Sequence, residues 1–158
     1  MNEFLLPLLK WVGGKRQLLP ELTAKMPRTF NTYFEPFIGG GAMLFELHPK
    51  KAVVGDINGE LINFYNAVKN NVEPLLKLLF TYQNTKEFFL DKRNIDRDPE
   101  KFNLLTSIEK AARTYYLNRT CFNGLYRVNS KGLFNTPYGH YKSPLVPVVD
   151  RFLAVSSY

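Results

Sequence analysis

The stretch NTYFEPFIGGGAMLFELHPKKAVVGDI, residues 31–57, decides the fold. Residues 31–38 have the aromatic and apolar composition of a strand, and this strand runs into three consecutive glycines at 39–41. A short helix through Leu47 follows, and residues 51–57 then have the pattern of a buried strand that ends on an acid. This order predicts the start of a βαβ unit with parallel strands. We therefore expect an α/β fold.

A glycine turn followed by an acid suits a ligand that contains adenosine. Glycine lets the ligand approach the backbone, and a carboxylate at the end of the next strand can accept hydrogen bonds from both ribose hydroxyls. Asp56 lies 17 positions after Gly39 (56 − 39), close to the spacing of dinucleotide-binding folds. The alternative for Gly39–Gly41 is a simple tight turn, and the alternative for Asp56 is a helix N-cap.

The dinucleotide fingerprint is incomplete in this sequence. Leu44 stands where the third glycine should be, and Glu35 precedes the loop and would repel phosphates. An acid here favours a positively charged ligand, such as the amino and sulfonium groups of S-adenosylmethionine. Trp11 and Lys15, in KWVGGKRQLLPEL (10–22), form a second unusual cluster, although each alone is more often a core residue or a solvated helix start.

Helical signals dominate the rest of the chain. Residues 15–26 have a helical pattern that stops at Pro27, and another helical pattern begins after residue 58, ends at Asn70-Asn71 and can restart at Pro74. Capping-box patterns begin at Asn84 and at Thr106, the second before a helix to about residue 120. The charged residues 94–101 indicate a solvated helix end or loop, and residues 148–158 indicate the beginning of a further helix.

Residues 118–144, NRTCFNGLYRVNSKGLFNTPYGHYKSP, interleave aromatic residues with cations and glycines. The pattern predicts a β-hairpin in which YRV (126–128) and LFN (133–135) flank a turn at 129–132, and Pro137 ends the second arm. The formal net charge of the chain is +7 and its pI is near 9.5. This charge favours an anionic partner such as nucleic acid.

Composition and the N-terminus limit the class of protein. Hydrophobic residues make up 45% of the 158-residue chain, which excludes a disordered protein. The single cysteine, Cys121, excludes an internal disulfide, fits a reducing compartment and most commonly serves as a small buried hydrophobe. Pro7 and Lys10 interrupt the apolar N-terminal stretch, so we predict neither a signal peptide nor a membrane span and expect a soluble, cytoplasmic protein.

Four blocks together resemble the N-terminal part of the Dam/DpnII-type DNA adenine-N6 methyltransferases. In the family's order, they are LLKWVGGKRQLLPEL (8–22), YFEPFIGGGAMLFEL (33–47), VVGDINGELINFYNAVK (53–69) and RTCFNGLYRVNSKGLFNTPYGHYKSP (119–144). The resemblance implies a partial Rossmann-like S-adenosylmethionine-dependent methyltransferase domain with an inserted, mostly helical target-recognition domain that carries the hairpin. Residues 1–58 would be the first part of the catalytic domain, 59–147 the recognition domain, and 148–158 the start of the return into the catalytic domain.

The resemblance also assigns residues to two ligands, S-adenosylmethionine and double-stranded DNA, and implies no metal. Around the cofactor would lie Trp11, Lys15, Glu35, Gly39 and Gly41, with Asp56 on the ribose. Phe122 and Asn123 would probe the duplex beside the flipped adenine, and Arg127 would contact a guanine, within the family's best-known target GATC. The other DNA-contacting positions would be Lys10, Arg119, Leu125, Asn129, Pro137, His140, Tyr141 and Lys142. His140 departs from the arginine that relatives carry, and a neutral imidazole is a weaker partner for a phosphate or a base than a guanidinium is.

The family's catalytic tetrapeptide, Asp-Pro-Pro-Tyr, does not occur in these 158 residues. The only Asp-Pro pair is Asp98-Pro99, which Glu100 and Lys101 follow in the charged stretch. We therefore expect that this chain alone does not methylate adenine and that it binds the cofactor weakly. Two alternatives stay open: a non-catalytic DNA-binding module, which the missing tetrapeptide favours, and an enzyme of the dinucleotide-binding type, which Glu35 and the absent third glycine disfavour.

Overall fold

A computed structural model describes residues 4–142 and 146–158 of the chain. Strand β1 (Tyr33–Glu35) and strand β2 (Ala52–Val54) pair in parallel, with Tyr33 opposite Ala52 and Glu35 opposite Val54. Helix α2 (Ala42–Leu47) lies between them in the chain, directly after the three glycines. The predicted βαβ unit is therefore confirmed, with strands of three residues each.

Helices account for most of the remaining described residues. A 3₁₀ turn (Lys15–Leu18) leads into α1 (Leu19–Ala24), which confirms the helical pattern before Pro27. The later helices are α3 (Gly59–Leu79), α4 (Lys86–Asn94), α5 (Pro99–Leu104), α6 (Ser107–Thr120) and α7 (Val149–Ser157). Two further 3₁₀ turns cover Ile95–Arg97 and Phe122–Gly124.

Helix α3 is kinked where the sequence predicted an interruption. Asn71 has non-helical backbone angles (φ −144°, ψ 41°), and Pro74 lies inside the same helix. Proline has no N–H to donate to the carbonyl four residues earlier, and its ring crowds that carbonyl, so the helix bends just before it. The sequence predicted one helix that ends at Asn70-Asn71 and another that can begin at Pro74; the interruption is confirmed as a kink at Asn71, but the two segments belong to one helix.

The main core lies between α3 and α6. The Phe64 ring stacks on the Tyr115 ring at 5.9 Å between centroids, and Phe152 of α7 packs edge-on against both. The N-terminal segment contributes Leu5, Leu8 and Leu9 to the same cluster, the loop after β1 contributes Ile38, and α2 contributes Leu44 and Phe45. The βαβ unit and the helices that follow it therefore share one apolar core, which stabilises their relative placement.

A second core cluster lies under the hairpin and consists of Phe89, Tyr116, Leu117, Cys121 and Phe134. Cys121 is fully buried, and burial raises the pKa of its thiol to about 11, so it is a small buried hydrophobe as predicted. Above this cluster, Val128 and Phe134 form an antiparallel bridge, and hydrogen bonds join residues 127 with 135 and 129 with 133. The hairpin of the sequence analysis is confirmed, although its arms are too short to count as full strands.

One of the two predicted capping boxes is confirmed and the other is displaced. Thr106 accepts a hydrogen bond from the Glu109 backbone, and the Glu109 carboxylate accepts one from the Thr106 backbone. At α4, the N-cap is Thr85, whose hydroxyl accepts from the Phe88 N–H, so the prediction of Asn84 as the cap is wrong. The Asn84 side chain instead contacts residues 138 and 141, beyond the hairpin, because tertiary contacts there compete for its amide.

The charged stretch 94–101 is mostly exposed and lies at a helix boundary, as predicted, but Asp96 is an exception. The Asp96 side chain is only 10% exposed and forms an ion pair with the buried Arg113 of α6, at 2.7 Å. Composition could not reveal this pairing, because the partner lies 17 positions away on another helix (113 − 96). Within the same stretch, Asp98 caps α5 as an exposed N-cap, which agrees with the prediction of a helix boundary.

The Asn118 side chain ties the N-terminal segment to α6. Its Oδ1 accepts a hydrogen bond from the Lys10 N–H (2.9 Å), and its Nδ2 donates to the Lys10 carbonyl (2.7 Å) and to the Gly124 carbonyl (3.1 Å). Asn118 is fully buried. Gly124 has φ +66°, and a Cβ there would lie 2.6 Å from Lys10 Cδ, so glycine is needed for this close approach.

We expect Asn118→Ala to destabilise the chain by about 3 kcal/mol, because it leaves several buried backbone groups without partners. Urea unfolding followed by circular dichroism measures the change. The matched control is Asn63→Ala, since the Asn63 amide donates to the Ser107 carbonyl at an exposed site and should contribute less than about 1 kcal/mol. Equal losses for the two variants would contradict the role of Asn118.

Candidate functional site

A cavity of about 840 Å³ opens beside the glycine turn, and this volume is in the range of small-molecule sites. Residues from five separate parts of the chain line it: the N-terminal segment, the glycine turn, Asp56 just after β2, α6 and α7. The predicted cofactor residues Trp11, Lys15, Gly39 and Asp56 are among them, and so are two predicted DNA-contacting residues, Lys10 and Arg119. Four of the six predicted cofactor residues and two of the eleven predicted DNA-contacting residues thus meet in one cavity, whereas Glu35 and Gly41 are not among the residues that line it.

The Trp11 ring lies between the glycine turn and the hairpin. On one side, Gly39 has φ +52°, and a Cβ there would lie only 3.0 Å from Trp11 Cδ1. On the other side, the ring stacks on Tyr126 of the hairpin, with centroids 5.0 Å apart and planes at 23°. Because glycine leaves room for the indole, the Trp11 ring can contact the glycine turn and the hairpin at the same time.

Glu35 lies at the end of β1, and its carboxylate is buried with only one of its two oxygens hydrogen-bonded among the described residues. Its Oε1 accepts from Lys15 Nζ at 2.8 Å, and Lys15 Nζ also donates to the Phe37 carbonyl at 2.8 Å. Within the described residues, Glu35 Oε2 is buried and has no hydrogen-bond partner. An unpaired buried carboxylate oxygen is costly, so this atom is suited to accept a hydrogen bond from a ligand.

The negative charge of Glu35 acts on two neighbouring tyrosines. Burial raises the pKa of Tyr33 and of Tyr65, and the Glu35 carboxylate raises both further. The Tyr65 hydroxyl donates to the Gly40 carbonyl at 2.8 Å, which holds the glycine turn against α3. Glu35 is not among the residues that line the cavity, but its partner Lys15 is, so the buried negative charge lies next to the cavity wall.

Asp56 connects the end of β2 to the glycine turn. Its Oδ2 accepts from the Gly39 N–H at 3.0 Å, and its Oδ1 accepts from the Asn58 N–H at 3.0 Å. The N-cap of α3 is Asn58, whose side chain accepts from the Leu61 N–H, so the alternative of Asp56 as that N-cap is wrong. Each carboxylate oxygen of Asp56 has a second lone pair, which leaves capacity for two hydroxyl donors.

The predicted DNA-contacting residues beyond α6 lie on two adjoining segments. Hydrogen bonds from Phe122 N–H to the Pro137 carbonyl and from Gly139 N–H to the Thr120 carbonyl, both 2.8 Å, hold these segments side by side. Phe122 is 54% exposed, and Asn123 has a left-handed backbone (φ 54°) at the tip of the 3₁₀ turn. Leu125 is half-buried, whereas the exposed side chains are Arg119, Arg127, Pro137, His140, Tyr141 and Lys142.

Two hairpin side chains already have partners within the hairpin. Arg127 Nε donates to Asn135 Oδ1 across the hairpin at 2.8 Å, which leaves its two terminal nitrogens for a bidentate contact. Asn129 Oδ1 accepts from the N–H groups of Lys131 and Leu133, at 2.9 and 3.0 Å, and so stabilises the turn. Only the amide nitrogen of Asn129 is left to contact DNA.

The cavity also contains cations that the sequence did not single out. Arg16 and Arg151 line it together with Lys10, Lys15 and Arg119. Arg16 directly follows Lys15 in the chain, so the block KWVGGKR could have suggested it. Arg151 gave no local signal, because α7 approaches the cavity only through its packing on α3.

Some predictions fall outside what the structure describes. Ser143 and Pro144, the last residues of the hairpin block, lie outside the described residues, as do residues 1–3 of the N-terminal stretch. No helix in residues 4–142 and 146–158 combines the length and the apolar character that a lipid bilayer requires. In the same part of the chain, the His, Cys, Asp and Glu side chains form no group of three that could hold a metal ion.

Known relatives share most of this chain. It is 51% identical over 154 residues to the Type II methyltransferase M1.LlaDCHI of Lactococcus lactis subsp. cremoris, a match that covers 96% of this chain and 54% of the relative. It is 40% identical to the Type II methyltransferase M.MjaIII of Methanocaldococcus jannaschii, over 89% of this chain and 54% of the relative. It is 38% identical to the DNA adenine methylase of Haemophilus influenzae, over 89% of this chain and 49% of the relative.

The chain spans about half the length of these curated relatives. A family model described as D12 class N6 adenine-specific DNA methyltransferase matches residues 11–152. The match includes Trp11 and Lys15 at the cavity, both strands, the helices α1 to α6 and the hairpin. The chain therefore belongs to the D12 class of N6 adenine-specific DNA methyltransferases.

Proposed function

We propose that this chain supplies the cofactor pocket and the DNA-recognition surface of a DNA adenine-N6 methyltransferase with GATC as its target. The observation that carries the proposal is the shared cavity, which residues predicted to hold S-adenosylmethionine line together with residues predicted to contact DNA. Methyl transfer to adenine N6 needs the flipped base and the methyl donor in one enclosure, in line with each other. A single cavity between the glycine turn and α6 meets this requirement.

The residues of the cavity fit S-adenosylmethionine, which supplies an activated methyl group when bound. Glu35 Oε2 would accept from the amino group of the methionine part, because it is a buried acceptor without a partner among the described residues. Asp56 would accept from the ribose hydroxyls with its remaining lone pairs. Gly39 lines the cavity and Trp11 offers an aromatic face at its wall, whereas the Phe45 ring fills the space beside Gly41.

The cations around the cavity suit the phosphates of duplex DNA. The lining contains Lys10, Lys15, Arg16, Arg119 and Arg151, against a single acid, Asp56. Of these cations, only Lys15 has a salt bridge within the described residues. Phosphate contacts orient a protein on DNA, and the hairpin beside the cavity would then supply base contacts through Arg127 and through the exposed Phe122.

The cofactor assignment can be tested with the only tryptophan of the chain, because Trp11 lines the cavity. We expect S-adenosylmethionine at millimolar concentration to change Trp11 fluorescence and Glu35→Gln to weaken its binding about tenfold, since a charge-assisted hydrogen bond is lost. Glu46→Gln, an exposed acid on α2, is the matched control. The compound 5′-methylthioadenosine has no amino acid part and should bind both variants alike; equal weakening of both ligands by Glu35→Gln would exclude the assignment.

The DNA assignment predicts different results for two cations. Arg127→Ala should lower the ratio of GATC to scrambled-duplex affinity about tenfold, because a bidentate arginine–guanine contact contributes about 1–3 kcal/mol of discrimination. Lys142→Ala should weaken both duplexes alike and reduce the salt dependence, as expected for a phosphate contact. Fluorescence anisotropy with labelled duplexes measures both effects. If Arg127→Ala weakens the binding of both duplexes to the same extent, the Arg127 side chain does not recognise a base.

We expect these 158 residues alone to leave DNA unmethylated, because they contain no Asp-Pro-Pro-Tyr sequence to hold the adenine amine. Incorporation of labelled methyl groups into a GATC duplex is the measurement, with the Haemophilus influenzae DNA adenine methylase as the positive control. Sustained turnover by the chain would show that other residues hold the adenine amine.

A further inference from the structure

A buried ionic cluster joins the charged segment 94–97 to α6 and to the hairpin. Asp96 Oδ2 pairs with Arg113 Nη2 at 2.7 Å and also accepts from the Phe134 N–H at 2.8 Å. Asp96 Oδ1 pairs with Arg97. The side chains of Asp96 and Arg113 are 10% and 4% exposed, so this pair is held away from solvent.

The same segment binds Phe134 through both of its backbone groups. While Asp96 accepts from the Phe134 N–H, Arg97 donates through Nη2 to the Phe134 carbonyl. Two adjacent side chains thus take the place that a neighbouring strand would have beside this arm of the hairpin. A shift of the arm by one residue would break both hydrogen bonds, so the pair fixes the register of the arm.

The cluster itself is anchored to three helices. Arg113 of α6 donates from Nε to the Lys92 carbonyl at 2.8 Å and from Nη2 to the Arg93 carbonyl at 3.1 Å, at the end of α4. Its guanidinium also lies over the Phe102 ring of α5, at 5.3 Å. The carboxylate that binds the hairpin is therefore held by a side chain that three helices immobilise.

A single residue, Asn135, connects Phe134 to Arg127. Asn135 follows Phe134, and its N–H donates to the Arg127 carbonyl at 3.0 Å while its Oδ1 accepts from Arg127 Nε at 2.8 Å. Phe134 is fully buried and bridges to Val128, the residue after Arg127. The position of the Arg127 guanidinium therefore depends on the register that Asp96 and Arg97 impose on the opposite arm.

We propose that Asp96 is a positioning residue for target recognition, which holds the hairpin in the register that places Asn135 against Arg127. It contacts no base itself and acts through Phe134 and Asn135. The assignment of Arg127 to a guanine contact rests on the proposed function, whereas the effect of Asp96 on the hairpin does not. A buried ion pair often adds little to the free energy of unfolding. A role in holding the hairpin in one conformation explains why the Asp96–Arg113 pair also contacts the hairpin.

The first test follows the hairpin without DNA. Hydrogen exchange of the Phe134 amide, measured by NMR in the 158-residue chain, should accelerate at least tenfold in Asp96→Ala, because its acceptor is removed. Asp98→Ala is the matched control, since it removes an exposed N-cap two residues further along and leaves the cluster intact. Unchanged exchange of the Phe134 amide in Asp96→Ala would overturn the proposal.

The second test measures recognition. Asp96→Ala should lower the ratio of GATC to scrambled-duplex affinity to the value found for Arg127→Ala. The double variant should have the same ratio as either single variant, because both substitutions remove the same contact between Arg127 and the base. A purely structural role would weaken both duplexes equally and leave the ratio intact, which would refute the proposal. If Asp96→Ala does not fold, Asn135→Ala removes only the side-chain hydrogen bond to Arg127. It must then lower the ratio of GATC to scrambled-duplex affinity by the same factor. If the unmutated chain does not discriminate, the proposed function fails, and hydrogen exchange still decides the role of Asp96.

Discussion

The arrangement of this molecule depends on one buried amide. The Asn118 side chain forms three hydrogen bonds that join α6 to the Lys10 backbone, 108 positions away, and to Gly124 at the start of the hairpin. Because the side chain is fully buried, these bonds do not compete with water. The residue after Lys10 is Trp11, and Tyr126 lies two residues after Gly124, so the amide also brings their two rings into the stack at the cavity wall.

The charges of the site are separated by depth. Glu35 is buried behind Lys15, does not line the cavity and leaves one oxygen without a partner among the described residues, whereas the cations Lys10, Arg16 and Arg119 line the cavity walls. On the proposed function, this separation lets one cavity accept a cationic cofactor and approach an anionic duplex without placing either next to a like charge. Lys15 stands between the two regions, since it pairs with Glu35 and also lines the cavity.

Local signals in the sequence predicted local structure correctly. The three glycines between two apolar runs predicted the parallel βαβ unit, Asn70-Asn71 predicted an interruption where α3 has its kink, and Thr106 with Glu109 predicted a capping box. Each of these depends on neighbours within a few positions, so composition and spacing contain the necessary information. Where two residues could serve as the same cap, as at Asn84 and Thr85, the choice depended on contacts with residues 138 and 141 that the local sequence does not contain.

By itself, the sequence determined the order of the elements, the glycine turn with its acid, and the family, because these depend on residue type and spacing along the chain. Tertiary structure alone decided which charges are buried and which side chains meet. Asp96 looked like a solvated acid until α6 placed Arg113 beside it, and Arg151 reached the cavity only through the packing of α7. Burial and pairing are properties of the packed chain, since they depend on neighbours that are distant in sequence and adjacent only after folding.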